Sequence, residues 1–382
     1  MISLDPVQLL QQLIRCPSVT PAEAGSFDII EAALKPLGFV ATRLRFEGNG
    51  SYPVDNLFAT RGTGSPHLLF NGHLDVVPPG DRSLWAHDPF GGEIADGMIY
   101  GRGAADMKSG VAAFIAALTD APTNAHISLA LTADEEADGI NGTARILDWA
   151  KAQGHRFDFA IVGEPSATAR PGDSIKIGRR GSLNGSIVVT GVQGHVAYPH
   201  KAQNPIPAAA SIISALSGEL DDGNERFPPS NLEFTSVDVG NSVTNVIPAT
   251  VRLRFNVRYN DRWTPESLKA AIREGLSNVD VEGAQVAFEV AGTPSRSFLS
   301  PTSGAVDTLI ASIEAETGSK PELSTAGGTS DARFVAQYCP VVEFGLPGST
   351  MHKADESVAV EDVRRLSALY AAFLARYFGK AL

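Results

Sequence analysis

Cysteine is scarce in this sequence, which argues against a fold held together by disulfide bonds. Only two cysteines, Cys16 and Cys339, occur among the 382 residues, whereas small disulfide-stabilised secreted domains need several pairs. We interpret both thiols as buried packing residues rather than as metal ligands or nucleophiles. The low cysteine content also predicts a reducing location, the cytoplasm.

Long apolar runs and excess basic charge are also lacking. No run of about 18 or more apolar residues occurs, so no membrane span is predicted. The first 16 residues have the pattern of an amphipathic helix, and we expect no signal peptide there. A formal net charge of -12 disfavours a nucleic-acid binder, which would need an excess of Lys and Arg.

Short apolar runs alternate with helical patterns toward both ends of the chain. Four runs are predicted as buried strands, at residues 67–70, 127–133, 159–162 and 341–344. Helices are predicted over residues 103–118 and 360–377. This alternation favours an α/β fold with a mostly parallel central sheet.

The middle of the chain follows the order β-α-β-β-α-β, which is the ferredoxin-like pattern. Its clearest strand is 250–259, where apolar and polar side chains alternate. We predict that residues 179–292 form an inserted α+β domain. The catalytic domain would then be discontinuous, comprising residues 1–178 and 293–382, and the length is sufficient for two hydrophobic cores.

Histidine and acidic side chains follow the predicted strands of the catalytic domain. In chain order they are His73 and Asp75 after the first strand, Glu135 and Glu136 after the second, Glu164 after the third, and His352 in the loop beyond the fourth. Asp106 stands between a tight glycine turn and a helical segment. Each acid alone would be interpreted as a helix cap or a loop charge. Because ligands bind at the carboxyl ends of strands in such sheets, we predict that these residues form one site.

Two histidines and several carboxylates are typical ligands of zinc and related divalent ions. Three ligands for each ion, with one shared acid, would hold two ions about 3.5–4 Å apart. Such a pair lowers the pKa of a bridging water toward about 7. Glu135 is the natural base to take the proton of that water and return it to a leaving amine. The sequence therefore predicts a metal-dependent amide hydrolase.

Five motifs resemble those of the dinuclear zinc aminoacylase/carboxypeptidase metallopeptidase family, over essentially the whole chain. They lie at residues 71–78, 100–108, 134–136, 162–165 and 351–352. The resemblance implies a zinc-peptidase-like catalytic domain with an inserted ferredoxin-like dimerisation domain. It implies two Zn²⁺ ions per subunit, which Co²⁺ can replace.

The resemblance also implies a role for each residue of the site. The first ion would be bound by His73 and Glu164, the second by Glu136 and His352, and Asp106 would bridge them. Asp75 would orient the His73 ring, and Glu135 would serve as general base and acid. His195, in the inserted domain, would reach the partner subunit's active site and stabilise the tetrahedral oxyanion, which implies a homodimer.

Three further motifs, at residues 178–183, 194–199 and 327–334, narrow the resemblance within the family. They imply hydrolysis of N-succinyl-LL-2,6-diaminopimelate to succinate and LL-2,6-diaminopimelate, in lysine and diaminopimelate biosynthesis. The alternative is a related N-acyl amino acid deacylase, similar to acetylornithine deacetylase, or a metallocarboxypeptidase. A catalytically silent binding or scaffold protein would be expected to lack a ligand or the base, and this sequence retains them all.

The implied substrate is a small anionic N-acyl amino acid. Its contacts would come from Arg179, Ser182, Tyr198, Asn245, Arg258, Gly328 and Thr329. Arginines gather between residues 179 and 262, and any one of them could belong to a solvated basic face. The functional interpretation is a pocket in which planar guanidinium groups bind carboxylates. Domain closure would use hinges near residues 179–184 and 291–296.

Overall fold

The computed structural model describes residues 4–379, which divide into two compact units. The first unit contains the chain up to Gly178, Ser300–Ser324 and the chain from Ser330 onward, and the second contains Arg179–Leu299 and Thr325–Thr329. The chain therefore leaves the first unit twice, for Arg179–Leu299 and again for Thr325–Thr329, and returns to it each time. The roles in catalysis and dimerisation that the sequence suggested for two domains stay predictions.

Regular elements cover most of the described chain. The helices are α1 (Pro6–Ile14), α2 (Ser26–Leu34), α3 (Ser109–Ala117), α4 (Thr143–Ala152), α5 (Pro205–Leu216), α6 (Pro265–Ser277), α7 (Ala305–Thr317), α8 (Ala332–Val335) and α9 (Val360–Tyr377). The strands are β1 (Val40–Gly48), β2 (Ser51–Arg61), β3 (His67–His73), β4 (Glu93–Ala95), β5 (Met98–Tyr100), β6 (His126–Thr132), β7 (Phe159–Val162), β8 (Ser174–Lys176), β9 (Gly178–Arg179), β10 (Gly181–Thr190), β11 (Gly194–His195), β12 (Gly218–Glu219), β13 (Asn231–Asp238), β14 (Val246–Ile247), β15 (Thr250–Tyr259), β16 (Gln285–Ser295), β17 (Phe298–Leu299), β18 (Glu322–Ser324), β19 (Val341–Glu343) and β20 (Ser357–Ala359). None of the helices within residues 4–379 combines the length and the apolar character needed to span a bilayer.

The first unit is built on an eight-stranded sheet with the order β1-β2-β6-β3-β7-β19-β8-β18. Its central strands β6, β3, β7 and β19 are parallel to one another, so the predicted mostly parallel central sheet is confirmed. Almost every residue of these four strands is buried. Since successive side chains point to opposite faces, both faces of the sheet are covered.

An antiparallel hairpin, β1-β2, extends this sheet at one side and was not predicted from the sequence. Gly48 pairs with Ser51, which leaves a two-residue loop of Asn49 and Gly50. Both loop residues have positive φ, 57° and 78°, as a type I′ turn requires. The Asn-Gly dipeptide was the signal that could have revealed the hairpin.

The second unit contains a five-stranded antiparallel sheet with the order β12-β13-β15-β10-β16. The four long strands have the ferredoxin-like order, with α5 and α6 as the two helices. Along β15 the residues alternate as predicted, because Leu253 and Phe255 are buried whereas Arg252 and Arg254 are exposed. The core of this unit forms on the buried face, and the other face carries the basic side chains.

Both cysteines are free and buried in the described structure, as the sequence analysis expected. Burial raises the pKa of both thiols, and that of Cys339 reaches about 12. A thiol with a raised pKa is a poor nucleophile at neutral pH, because the thiolate is the reactive form.

His67, the first residue of β3, is a buried histidine that stays neutral at pH 7. Its Nδ1 lies 2.8 Å from the main-chain oxygen of Arg156, and its Nε2 lies 2.8 Å from Oγ of Ser128. Burial and the neighbouring His126 lower the pKa of His67 to about 4 from its ordinary value of 6.5. Below pH 6.5 His67 is protonated in the unfolded chain but stays neutral in the folded chain. The free energy of unfolding therefore decreases as the pH falls toward 4.

Replacing His67 with Asn should weaken the dependence of stability on acid pH. Between pH 6.5 and pH 5 we expect the wild type to lose about 2 kcal/mol more unfolding free energy than His67→Asn. Urea unfolding of both proteins across this range, with a chelator present, measures the difference. Parallel pH profiles for the two proteins would contradict the assignment of a neutral, buried imidazole.

Candidate metal centre

The carboxyl ends of the parallel strands bring the candidate ligands together. Strand β3 ends at His73, β6 ends just before the loop that carries Glu135 and Glu136, and β7 ends two residues before Glu164. Since β3 pairs in parallel with both β6 and β7, these ends lie along one edge of the sheet. All of these residues, with Asp106 and His352, belong to the first unit.

Asp106 lies between the two histidines and offers one carboxylate oxygen to each. Its Oδ1 is 3.2 Å from Nε2 of His73, and its Oδ2 is 3.5 Å from Nε2 of His352. The same His352 nitrogen is 3.1 Å from Oε1 of Glu136, and the His73 nitrogen is 3.7 Å from Oε1 of Glu164. The Asp106 carboxylate thus lies between the two histidines, where a ligand shared by two ions about 3.5–4 Å apart would lie. Ligand atoms of Asp106 and Glu136 also come within 4.8 Å of His73.

Irregular backbone positions two of these ligands. Asp106 lies in the segment Ala104–Lys108, where its own φ and ψ of -126° and 100° are not helical, and the Asp106-Met107 peptide bond is cis. The helix predicted over residues 103–118 therefore becomes regular only at Ser109, where α3 begins. His352 has a φ of 62°, in the left-handed region. A left-handed conformation at a residue other than glycine is uncommon, and such residues concentrate at functional sites.

Negative charge is crowded in this buried space. Burial, and then the charges of Asp106 and Glu135, raise the pKa of Glu164 well above its ordinary value. Burial would lower the pKa of His73, but its hydrogen bond with Asp106 and the nearby carboxylates raise it well above 6.5. Hydrogen bonds with Asp106 and Glu136 raise the pKa of His352 to about 10. Carboxylates packed in this way require positive charge beside them, so the donor set fits divalent cations.

Asp75 contacts His73 through its main chain. Nδ1 of His73 donates to the main-chain oxygen of Asp75 at 2.9 Å, whereas the nearest carboxylate oxygen is 3.7 Å away. The Asp75 carboxylate instead accepts hydrogen bonds from the main-chain N–H groups of Glu135 and Glu136, at 3.3 and 3.1 Å. Asp75 therefore fixes the His73 tautomer with its carbonyl group and holds the following loop with its carboxylate.

Glu135 faces the ligand cluster from that loop. Its Oε2 lies 4.0 Å from Nε2 of His73. Burial raises the pKa of Glu135 to about 8, and the neighbouring carboxylates of Asp331 and Glu136 act in the same direction. A carboxyl group with a pKa near the working pH can both accept and return a proton.

Glu356 was missed by the sequence analysis, although it stands only four residues after His352. Its side chain is fully buried, and it accepts hydrogen bonds from the loop that carries Asp106. It accepts hydrogen bonds from Nη1 of Arg102 at 2.7 Å and from the main-chain N–H groups of Gly103 at 3.1 Å, Ala105 at 2.8 Å and Asp106 at 3.1 Å. An acid so close to a predicted ligand was the available signal, but its partners lie about 250 residues earlier in the chain.

Replacing Glu356 with Gln should loosen the Asp106 loop and weaken metal binding. The amide removes the negative charge and turns a donor toward main-chain N–H groups, so we expect metal affinity to fall about 10–100-fold. Competition with a chromophoric chelator measures the affinity, and Glu361→Gln, an exposed acid nearby, is the matched control. A folded Glu356→Gln protein with wild-type metal affinity would show that the hydrogen bonds of Glu356 do not support Asp106 as a ligand.

The residues that the sequence analysis assigned to substrate binding lie in the second unit, as does His195. His195 and Tyr198 are exposed, with ring centroids 5.8 Å apart, and the main-chain N–H of Val196 donates to the oxygen of Asn245 at 3.1 Å. His195, Tyr198 and Asn245 thus belong to one exposed region. The functions suggested for them stay predictions.

The remaining residues of that set form two further groups in the second unit. Ser182 and Arg258 are directly opposite each other on β10 and β15. Nη1 of Arg179 lies 3.4 Å from the main-chain oxygen of Ala326, which belongs to the same short segment, Thr325–Thr329, as Gly328 and Thr329.

The comparisons with known proteins find relatives over nearly the whole chain. The sequence profile of Peptidase family M20/M25/M40 matches residues 69–376 of this chain. A succinyl-diaminopimelate desuccinylase from Rhodospirillum centenum is 52% identical over 384 residues, which cover 99% of this chain and 98% of the relative. Another, from Rhodopseudomonas palustris strain BisA53, is 50% identical over 381 residues and 98% of both chains.

Solved structures with low sequence identity share the fold. The aminopeptidase PepT from Bacillus cereus superposes with a TM-score of 0.80 at 20% identity, over 98% of both chains. A dinuclear metal-binding peptidase of the M20 family from Bacillus subtilis superposes with a TM-score of 0.68 at 16% identity, over 99% of this chain and 98% of that one. The likeness shows a common architecture across these peptidases.

Proposed function

The chain belongs to peptidase family M20/M25/M40, and on this premise we propose that it hydrolyses N-succinyl-LL-2,6-diaminopimelate to succinate and LL-2,6-diaminopimelate. The observation that carries the proposal is the identity of about half of all residues, over nearly the whole length, with succinyl-diaminopimelate desuccinylases. This makes it a metal-dependent amidohydrolase of lysine and diaminopimelate biosynthesis. The absence of a disulfide framework supports a cytoplasmic location.

We propose two zinc ions per subunit, which cobalt can replace. One would be bound by His73 and Glu164, the other by Glu136 and His352, with Asp106 shared. The ions would supply Lewis acidity, which polarises the amide carbonyl and lowers the pKa of water. Imidazole and carboxylate donors are typical of zinc sites, and the distances around Asp106 support a shared ligand.

Glu135 would transfer the proton. Its carboxylate takes a proton from the attacking water as the new C–O bond forms, and returns it to the amine nitrogen as the C–N bond breaks. Nearby divalent cations would lower its raised pKa, so that the carboxylate is ionised at neutral pH. The hydrogen bond from its main-chain N–H to Asp75 supports the loop position from which it acts.

The second unit would recognise the substrate and form the homodimer. His195 would act at the partner subunit's active site, where it would stabilise the oxyanion. The guanidinium groups of Arg179 and Arg258 match the carboxylates of a small anionic N-acyl amino acid. Closure about hinges near residues 179–184 and 291–296 would bring these groups to the substrate.

A product assay over a small substrate panel tests the specificity. The zinc-loaded protein is incubated with N-succinyl-LL-2,6-diaminopimelate, N-acetylornithine or a dipeptide, and the products are identified by mass spectrometry. We expect the highest kcat/KM with the succinylated substrate. A preference for N-acetylornithine or the dipeptide would establish the alternative, and no hydrolysis by the loaded protein would favour a catalytically silent relative.

Mixing two inactive variants tests whether His195 acts across the dimer. A Glu135→Gln subunit retains His195, and a His195→Ala subunit retains the base, so a mixed dimer has one complete site. Random pairing makes half of the dimers mixed, so we expect recovery of up to about a quarter of wild-type activity. Re-associating each variant alone is the control. A mixture no more active than the separate variants would contradict action in the partner's site.

A further inference from the structure

A second cluster of possible metal ligands lies away from the metal centre, at the start of the parallel strands. His67 and His126 are the first residues of β3 and β6, and they face each other in the strand register. His155, in the turn after α4, lies next to them. The metal centre is at the other end of β3, where His73 lies about 20 Å along the strand.

The three imidazole rings are close enough to share an ion. The rings of His67 and His126 stack with centroids 3.4 Å apart and an angle of 9° between their planes, and the His155 ring is 5.7 Å from that of His67. One nitrogen from each ring lies within 4.8 Å of the other two. In a tetrahedral site with metal–nitrogen bonds near 2.0–2.1 Å, the nitrogens are about 3.4 Å apart. Because a metal lies in the plane of each imidazole that binds it, the rings of His67 and His126 would have to tilt out of their stack to share an ion.

Hydrogen bonds to the main chain set the tautomers of two of these rings. Nδ1 of His67 lies 2.8 Å from the oxygen of Arg156, and Nδ1 of His126 lies 2.6 Å from the oxygen of Gly64. A carbonyl oxygen only accepts, so both Nδ1 atoms carry the proton and both Nε2 atoms keep a lone pair. This is the arrangement in which histidine binds metals in proteins.

Metal binding would leave no buried polar group without a partner. An ion at Nε2 of His67 would displace Oγ of Ser128, but that hydroxyl is also 2.8 Å from Oγ1 of Thr60. Burial lowers the pKa of both His67 and His155, so an ion need not displace protons from them at pH 7. The Asp158 carboxylate, which accepts a hydrogen bond from the His67 main-chain N–H at 2.7 Å, adds negative charge nearby.

We propose that His67, His126 and His155 bind an additional, structural transition-metal ion, such as Zn²⁺ or Ni²⁺. Nitrogen ligands favour these ions over Mg²⁺ or Ca²⁺. The ion would join the beginnings of two neighbouring strands to the turn after α4. Its role would be to stabilise the fold, since it lies far from the reacting groups.

Counting bound zinc in the holoenzyme tests the site. Wild type and a double variant, His126→Ala with His155→Ala, are dialysed against the same free Zn²⁺ at pH 7.5, and metal per chain is measured by mass spectrometry. We expect the wild type to bind one ion more than the double variant, with equal catalytic activity. Excess Zn²⁺ should also raise the melting temperature of the wild type more than that of the double variant, which keeps only the ions of the metal centre.

Two further variants make the result specific. His87→Ala removes a partly buried histidine that stacks on Tyr100 in another part of the first unit, and it should keep the wild-type ion count. His155→Gln is the milder change should the double variant unfold, and it should lower the affinity for the extra ion at least about tenfold. Equal ion counts in wild type and double variant, unchanged affinity in His155→Gln, or loss of the ion in His87→Ala would each overturn the proposal. These counts do not depend on which amide the enzyme hydrolyses.

Discussion

Glu135→Gln should lower kcat by about 10²–10⁴-fold, the usual contribution of a general acid–base group, while both metal ions stay bound. The amide has the shape of the carboxyl group but cannot accept the proton of the attacking water. Steady-state kinetics of amide cleavage and the metal content of the same sample provide the two measurements.

The metal content decides between two roles for Glu135. Its carboxylate is close enough to His73 and Glu164 to form a possible ligand group with them. If Glu135→Gln loses an ion together with activity, Glu135 is a ligand rather than the base. Asp138→Asn is the matched control, because this exposed acid lies in the same loop and bonds to Oγ of Ser51 at 2.7 Å. An unchanged kcat in Glu135→Gln would remove Glu135 from the mechanism.

Asp106→Asn should remove both ions and abolish activity. The two oxygens of Asp106 face different histidines, and an asparagine offers only one oxygen and no charge. Losing the partners of ligands already costs 10–100-fold in metal affinity, so losing a shared ligand should cost more than about 100-fold at both sites. Titration with Zn²⁺ followed by calorimetry measures both affinities.

A comparison with Glu136→Gln shows whether Asp106 is shared. Glu136 lies 3.1 Å from His352, and its carboxylate also comes within 4.8 Å of His73 and Asp106. Because the proposed assignment makes Glu136 a ligand of the second ion alone, its loss should weaken mainly that ion. Asp307→Asn, an exposed acid of α7, is the control for loss of charge. Loss of a single ion in Asp106→Asn would contradict the bridging role.

Much of the candidate site could be predicted because its geometry follows from a local rule. His73 and Glu164 each come at or just after the end of a buried strand, and the carboxyl ends of parallel strands meet at one edge. The strand segments themselves were evident from their apolar runs, and β7, β15 and α9 have the predicted bounds. Neighbouring parallel strands then bring together residues that are about 90 positions apart in the sequence.

Other features depend on contacts that no local pattern contains. Glu356 holds the Asp106 loop across about 250 residues, and nothing in the sequence near either residue indicates that pairing. Asp75 orients His73 with its carbonyl group rather than with its carboxylate. This choice depends on the local backbone conformation, which a pattern of residues does not specify. Asp106 was predicted as a ligand, yet its departure from helical geometry was not.

His352 and Glu356 follow the second unit in the sequence, which has a consequence for how the site is assembled. The ribosome makes His73, Asp106, Glu136 and Glu164 first, then the second unit, and only afterwards His352, the last of the proposed ligands. A nascent chain that folds as it emerges would therefore expose an incomplete set of these candidate ligands until the second unit has been made. Hydrolytic competence would be acquired only after the second unit has been made, together with the hydrogen bonds by which Glu356 holds the Asp106 loop.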